Sequence, residues 1–222
     1  MPTLVFLLDV DNTLINNDKV KEDFSTHLKV ELGPQLADRF WEIYEQVRQE
    51  RGVVDIPLSL RRLREQTPRT ELDDQTYLHV QSIFNNYPFF NALYPHTLET
   101  LQHLRSMGLT VIVSDGDKFF QPEKIHRSDL ADAVEGRVLI YTHKQQHLEE
   151  ILYKYPADHH VMIDDKPDIL VDSKAIMGKG LTTVFVKQGH YAKQVPDNFT
   201  PDISVLHIGD LRNFTEAQFL QS

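Results

Sequence analysis

The stretch Leu4–Asn16, "LVFLLDVDNTLIN", decides how the rest of the chain is read. It opens with an unbroken apolar run, the pattern of a strand buried on both faces. The run then ends in two carboxylates, Asp9 and Asp11, followed by Thr13. Side chains at i and i+2 of a strand point the same way, so Asp9 and Asp11 converge if the extended geometry persists into the loop.

Working outward, comparable runs recur at Leu109–Gly116 ("LTVIVSDG"), His160–Asp165 ("HVMIDD") and Leu181–Val186 ("LTTVFV"). A weaker run covers Ile203–Ile208, and Gly136–Tyr141 is a further short strand candidate. His159-His160 reads as the end of the loop before the third run. Helical patterns lie between the runs. Leu98, Leu101 and Leu104 share a face, with Gly108 placed as a C-cap; "QQHLEEILYKY" and "DILVDSKAIMGKG" read similarly. Strand–helix alternation of this kind predicts an α/β fold with a parallel sheet and helices on both faces.

Residues 17–91 break the alternation. Leu36, Phe40, Ile43 and Val47 follow helical spacing, as do Leu60 with Leu63 and then Leu78, Val80, Ile83 and Phe84. Gly33-Pro34, "IPLS" and "QTPRTELDD" read as breaks between these helices. The expected organisation is a catalytic core of residues 1–16 and 92–222 interrupted by a helical cap, 17–91.

The bulk properties narrow the function. A chain of 222 residues with 41% hydrophobic and 25% charged residues is expected to be a globular protein with a sizeable core. A net charge of −10 argues against binding bare nucleic acid, which needs a basic surface. Absence of cysteine excludes disulfides and thiolate chemistry. The first apolar run is too short for a signal peptide or membrane span and breaks at Asp9, so a cytoplasmic protein without membrane attachment is expected.

Ligands of open α/β sheets bind outside the carboxyl ends of the strands. Here those ends carry Asp9 and Asp11, then Ser114-Asp115, then Asp164-Asp165. Carboxylates a few ångströms apart repel by roughly 4 kcal/mol per pair at an effective dielectric near 20. Such a cluster either holds a proton or surrounds a cation. A hard divalent ion such as Mg²⁺, suited to carboxylates, water and phosphate, is the expected cofactor.

Asp9-Val10-Asp11-Asn12-Thr13 after an N-terminal strand, Ser114 ending a second strand, a downstream lysine and the Asp164-Asp165 pair together resemble the haloacid dehalogenase-like superfamily of hydrolases. The segment "QPEKIHRSDLADAV" resembles the helix that follows in phosphoglycolate phosphatase-like members. The resemblance implies a Rossmann-like core and a small phosphorylated substrate. It implies Asp9 as nucleophile and Asp11 as general acid and then base. Ser114 would bind a phosphoryl oxygen and Lys144 would neutralise charge. Mg²⁺ would be held by Asp9, the backbone carbonyl of Asp11, Asp165 and Asp164. Thr13, Asp115 and Gly116 are expected to contact substrate.

The sequence departs from the family in lacking the Lys-Pro pair, and Lys118 and Lys124 are alternatives to Lys144 that read as loop and helix residues. Asp168 reads as a first-turn helix residue. Members that cleave carbon–halogen or carbon–phosphorus bonds generally lack an acid at the place of Asp11, so its presence favours phosphate esters. A phosphomutase and an inactive binding relative remain the alternatives. Arg61, Arg62 and Arg64, with Arg48 or Arg51, either meet a substrate anion or form a solvated face paired i,i+4 with glutamates. His190, after the fourth long run and at the same edge as the site, reads as an ordinary loop residue, with contact to substrate as the alternative.

Overall fold

In the computed structural model, which describes residues 4–220, strand β1 (Leu4–Leu8) is buried along its whole length. Its side chains alternate between two apolar clusters. Leu4, Phe6 and Leu8 join one, while Val5 and Leu7 join the other with Val111, Val113 and Met162. Covering both faces explains why the run is continuous rather than alternating.

Five more strands follow: β2 (Leu109–Asp115), β3 (Val138–Tyr141), β4 (His159–Asp164), β5 (Leu181–Val186) and β6 (Ile203–Val205). All pairings are parallel and the sheet order is β3-β2-β1-β4-β5-β6. In register, Leu7 lies between Val111 and Met162. This is the Rossmann-like order, with its switch of direction beside β1, where a crevice opens at the carboxyl edge. His159 and His160 belong to β4 rather than to the preceding loop.

The helices are α1 (Asn17–Arg51), α2 (Ile56–Gln66) and α3 (Asp74–Asn85) between β1 and β2, then α4 (Thr97–Met107) leading into β2. After it come α5 (Phe120–Arg127), α6 (Leu130–Ala133), α7 (Leu148–Lys154), α8 (Pro167–Met177) and α9 (Glu216–Leu220). Asp168 lies exposed in the first turn of α8. No described helix is long and apolar enough to cross a membrane.

Gly33-Pro34 breaks the helical run as expected: Gly33, at φ 75° and ψ 163°, is non-helical, so α1 is two helical segments meeting at a kink. Other local readings are corrected. "IPLS" starts α2: the Asp55 side chain accepts the Leu58 amide at 2.9 Å and Pro57 sits in the first turn. Leu78 is 61% exposed, so the buried stripe of α3 narrows to Val80 and Phe84. Gly108 is the C-cap of α4 as expected, its amide donating to the Leu104 carbonyl at 3.0 Å, in extended geometry. Its need for glycine is spatial, because a Cβ there would stand 2.4 Å from the Leu4 carbonyl oxygen.

Candidate active site

The Asp9 amide donates to the Ile163 carbonyl at 3.0 Å, carrying the β1 pairing one residue past the strand. Extended geometry stops there. The amides of Thr13, Leu14 and Ile15 all converge on the Val10 carbonyl, at 3.3, 2.8 and 2.9 Å. Asn12 takes the left-handed conformation, φ 61°, which asparagine tolerates better than most residues. A tight turn, not a continued strand, therefore sets the relation of Asp9 to Asp11.

The loop after β5 braces this turn. Gln188 donates to the Thr13 carbonyl at 3.1 Å and accepts the Ile208 amide at 2.7 Å. Gly189, at φ 66°, lies so near that a Cβ would fall 2.6 Å from the Asn12 Cβ. Asn12 Nδ2 donates to Asp18 Oδ1 at 3.1 Å, and the same oxygen lies 2.7 Å from His190 Nδ1. Sequence reasoning missed Gln188, and left His190 as an ordinary loop residue.

Asp9, Asp164 and Asp165 are buried and each can bring a carboxylate oxygen within 4.8 Å of the others. Lys144 Nζ bonds Asp9 Oδ1 directly and lies 2.6 Å from Asp164 Oδ2, an ion pair by distance. The Lys144 backbone is itself positioned, its amide donating to Asp115 Oδ1 at 2.7 Å. Burial pulls the Lys144 ammonium down, but Asp164 and Asp9 beside it outweigh burial and push it up, so it stays charged. Burial also raises the Asp9 carboxyl; Lys144 opposes this and Asp164 adds to it. Asp165 is pushed up to about 9, by burial first and then by Asp164 and Asp9.

Asp9 Oδ2 and both Asp165 oxygens are buried without a hydrogen-bond partner among the described residues. Unpaired buried acceptors of this kind are costly and call for a partner. The donors are hard oxygens gathered at one point, which fits Mg²⁺. Asp11 stands outside the cluster of carboxylates, leaving its backbone carbonyl as its possible contribution.

Asp11 has a lysine of its own. Lys124 Nζ lies 2.6 Å from Asp11 Oδ1 and 3.1 Å from Asn17 Oδ1, almost wholly buried. Burial pushes Asp11 up, yet Lys124 and further donors outweigh it and hold the carboxyl below its ordinary range. Reading Lys124 as a mere helix residue is thus corrected. The available signal was the inner face of α5, where Gln121, Lys124 and Ile125 are buried together at i, i+3 and i+4. Lys166 is a further lysine that sequence reasoning missed. Burial lowers it, but Asp9 and Asp164 raise it on balance, and its Nζ stands 5.5 Å from the Tyr191 ring centre.

Ser114 is buried at the end of β2, its hydroxyl oxygen accepting from Gln121 Nε2 at 2.9 Å. Gly116 has no room for a side chain, since a Cβ would meet Gln121 at 2.7 Å. Asp115 and Gly116 line a cavity of about 420 Å³, whereas Thr13 is wholly buried and does not line it. Asp11, Lys124 and Lys166 form part of the same wall. The opposite wall is α1, through Lys21, Phe24, Trp41, Tyr44 and Arg48.

Of the arginines singled out from the sequence, Arg48 reaches this cavity. Arg62 pairs with Glu50 at 2.7 Å and Arg64 with Asp74 at 2.6 Å. Those two pairs join separate helices rather than following i,i+4 spacing.

Comparison with known proteins follows the same line. The family profile described as haloacid dehalogenase-like hydrolase matches residues 3–169. A crystal structure from Burkholderia xenovorans LB400, titled as a protein of that kind, has a TM-score of 0.86 and 45% identity, covering 96% of this chain and 99% of that one. L-2-haloacid dehalogenase from Xanthobacter autotrophicus has a TM-score of 0.61 and 15% identity over 96% of this chain and 97% of that one. YfnB from Bacillus subtilis, solved bound to magnesium, gives 0.61 and 13%, with both chains covered at 100%. At those two lower identities the likeness concerns the fold. A search of curated proteins gave no match.

Proposed function

This chain belongs to the haloacid dehalogenase-like hydrolase family, and within it we propose a Mg²⁺-dependent phosphatase acting on small phosphomonoesters. The observation that carries the reading is the buried meeting of Asp9, Asp164 and Asp165 with oxygens left unpartnered, beside an additional acid at Asp11.

Asp9 is the proposed nucleophile. Its carboxylate oxygen attacks phosphorus as the ester oxygen departs, forming an aspartyl-phosphate. Asp11 gives the departing oxygen a proton, then takes one from the water that hydrolyses the intermediate. Without substrate Asp11 is ionised beside Lys124, the form the second half requires. A phosphoryl dianion bound alongside raises its proton affinity for the first half. Lys144 holds Asp9 in place and offsets charge on the transferring group.

Asp9, Asp164, Asp165 and the Asp11 carbonyl are the groups that would hold Mg²⁺. Once bound, the ion draws charge from the phosphoryl oxygens and lowers the repulsion between two anions. Ser114 is the proposed donor to a phosphoryl oxygen, with Gly116 giving the backbone close approach. Helices α1–α3 are proposed as the cap that shields the intermediate from stray water. The size of the cavity, about 420 Å³, and the net charge of −10 support a small substrate rather than a nucleic acid.

The test is phosphate release from a panel of phosphomonoesters. Turnover is expected with Mg²⁺, loss with EDTA, and a drop of at least about 10³-fold in kcat for Asp9→Asn. Turnover that survives both treatments overturns the assignment.

A further inference from the structure

Helix α1 presents one face to the cavity on each side of its kink: Asn17, Val20, Lys21 and Phe24 before it, then Trp41, Tyr44, Glu45 and Arg48 after it. Each set follows i, i+3, i+4, i+7 spacing. The charged groups of the cavity are mostly engaged. Lys124 pairs with Asp11 at 2.6 Å, and Arg48 with Glu45 at 2.8 Å. Asp115 accepts the Lys144 amide, Asp117 accepts the amides of Phe119 and Phe120, and Lys166 is held by the field of Asp9 and Asp164.

Lys21 is different. It is half-buried and, among the described residues, has no ion pair or hydrogen bond. Its ammonium lies over the Tyr44 ring, whose centre is 5.7 Å from Nζ. Burial pulls this ammonium down, and Asp11 and Glu45 oppose that only in part. Lys21 and Asp11 line the same cavity. An ammonium held over an aromatic ring, partly desolvated and without a counter-ion, suits an anion brought by a ligand.

We propose that Lys21 anchors a second anionic group of the substrate, so that the preferred substrates are phosphomonoesters bearing a carboxylate or a second phosphate on a short body packed against Tyr44 and Trp41. This rests on the phosphatase reading for the position of the first phosphoryl group. The second anion supplies the charge missing at Lys21, and the apolar walls take the body between the two anions.

The test separates this inference from the reading beneath it by measuring binding of ligands that cannot be hydrolysed. Benzylphosphonate, 4-carboxybenzylphosphonate and 1,4-xylylene bisphosphonate are titrated by calorimetry into the full chain with Mg²⁺. At least one doubly anionic ligand is expected to bind about tenfold more tightly than benzylphosphonate, the scale of one charge-assisted hydrogen bond. The better of the two identifies the second anion. In Lys21→Met the ratio is expected to fall to about one, and in Lys21→Arg to persist. Equal affinities in the unaltered chain, or a gain that survives Lys21→Met, overturns the proposal. The matched comparison in the unaltered chain decides even where a variant fails to fold. Turnover of phenyl phosphate and of 4-carboxyphenyl phosphate supplies the other arm: binding gain with neither ester turned over removes the phosphatase reading and leaves the anion subsite standing, and turnover without gain does the reverse.

Discussion

Phe40 is buried in an apolar cluster and packs against other aromatic rings. Its ring lies 5.2 Å from Trp41 and 5.4 Å from Phe84, and Phe84 lies 4.5 Å from Phe24. Around Asp9, at the same depth of burial, the neighbours are Lys144, Asp164 and Asp165. The first region is held by surface removed from water and by close packing. The second gathers like charges and unpartnered acceptors, which oppose folding. The α1–α3 segment supplies stability and a cavity wall. The carboxyl edge of the sheet accepts a local cost in exchange for a concentrated field.

The contrast breaks most readily at Phe40. Phe40→Ala is expected to cost about 3–5 kcal/mol, through lost transfer energy and the cavity left behind. Urea midpoints measure it. A loss below about 1 kcal/mol would mean that α1–α3 are not held by their aromatic cluster.

Asp165→Asn is expected to act in the opposite direction. Its folded pKa of about 9 lies above the unfolded carboxylate value. A raised carboxyl contributes stability present at low pH and lost as pH rises towards 9. At neutral pH without Mg²⁺ the asparagine variant should therefore be more stable, by about 2 kcal/mol, because Asp165 must take up a proton on folding and an amide need not. Mg²⁺ is expected to raise the Tm of the unaltered protein, and the same variant is expected to lose that rise. If EDTA-treated Asp165→Asn melts lower than the unaltered chain, the acidic edge is not the strained region described.

The smallest effect sharpens the contrast at the far end of the sheet. His160, near the start of β4, is buried, and burial holds its pKa below the histidine value although Nε2 lies 2.9 Å from the Tyr155 carbonyl. The unfolded chain then binds the extra proton first, so stability falls as pH drops through about 6.5. His160→Gln should lessen the stability lost between pH 7.5 and 5.5 by less than about 1 kcal/mol. An unchanged slope would remove His160 as its source.

Much of this was readable before folding. The strands were legible because residues covered on both faces are mostly apolar, as all five of β1 are. The acidic edge was legible because parallel strands deliver their carboxyl ends to one side, bringing Asp9 and Asp164 together from distant positions. Helix starts were less so: Pro57 looked like a break because its role depends on the Asp55 cap beside it. Lys124 was not legible as Asp11's partner, since 113 positions separate the two.

What the sequence alone determined is the alternation of elements, the burial of β1 and the set of carboxylates offered at the strand ends, all consequences of local periodicity and chain direction. What the tertiary structure decided is which cation meets which anion: Lys144 with Asp9 and Asp164, Lys124 with Asp11, and Lys21 over the Tyr44 ring with no ion pair among the described residues. The reason is physical. Periodicity follows from bonds between neighbours, whereas pairing at 3 Å depends on how whole helices pack against the sheet, and small changes in that packing exchange partners without altering any local pattern.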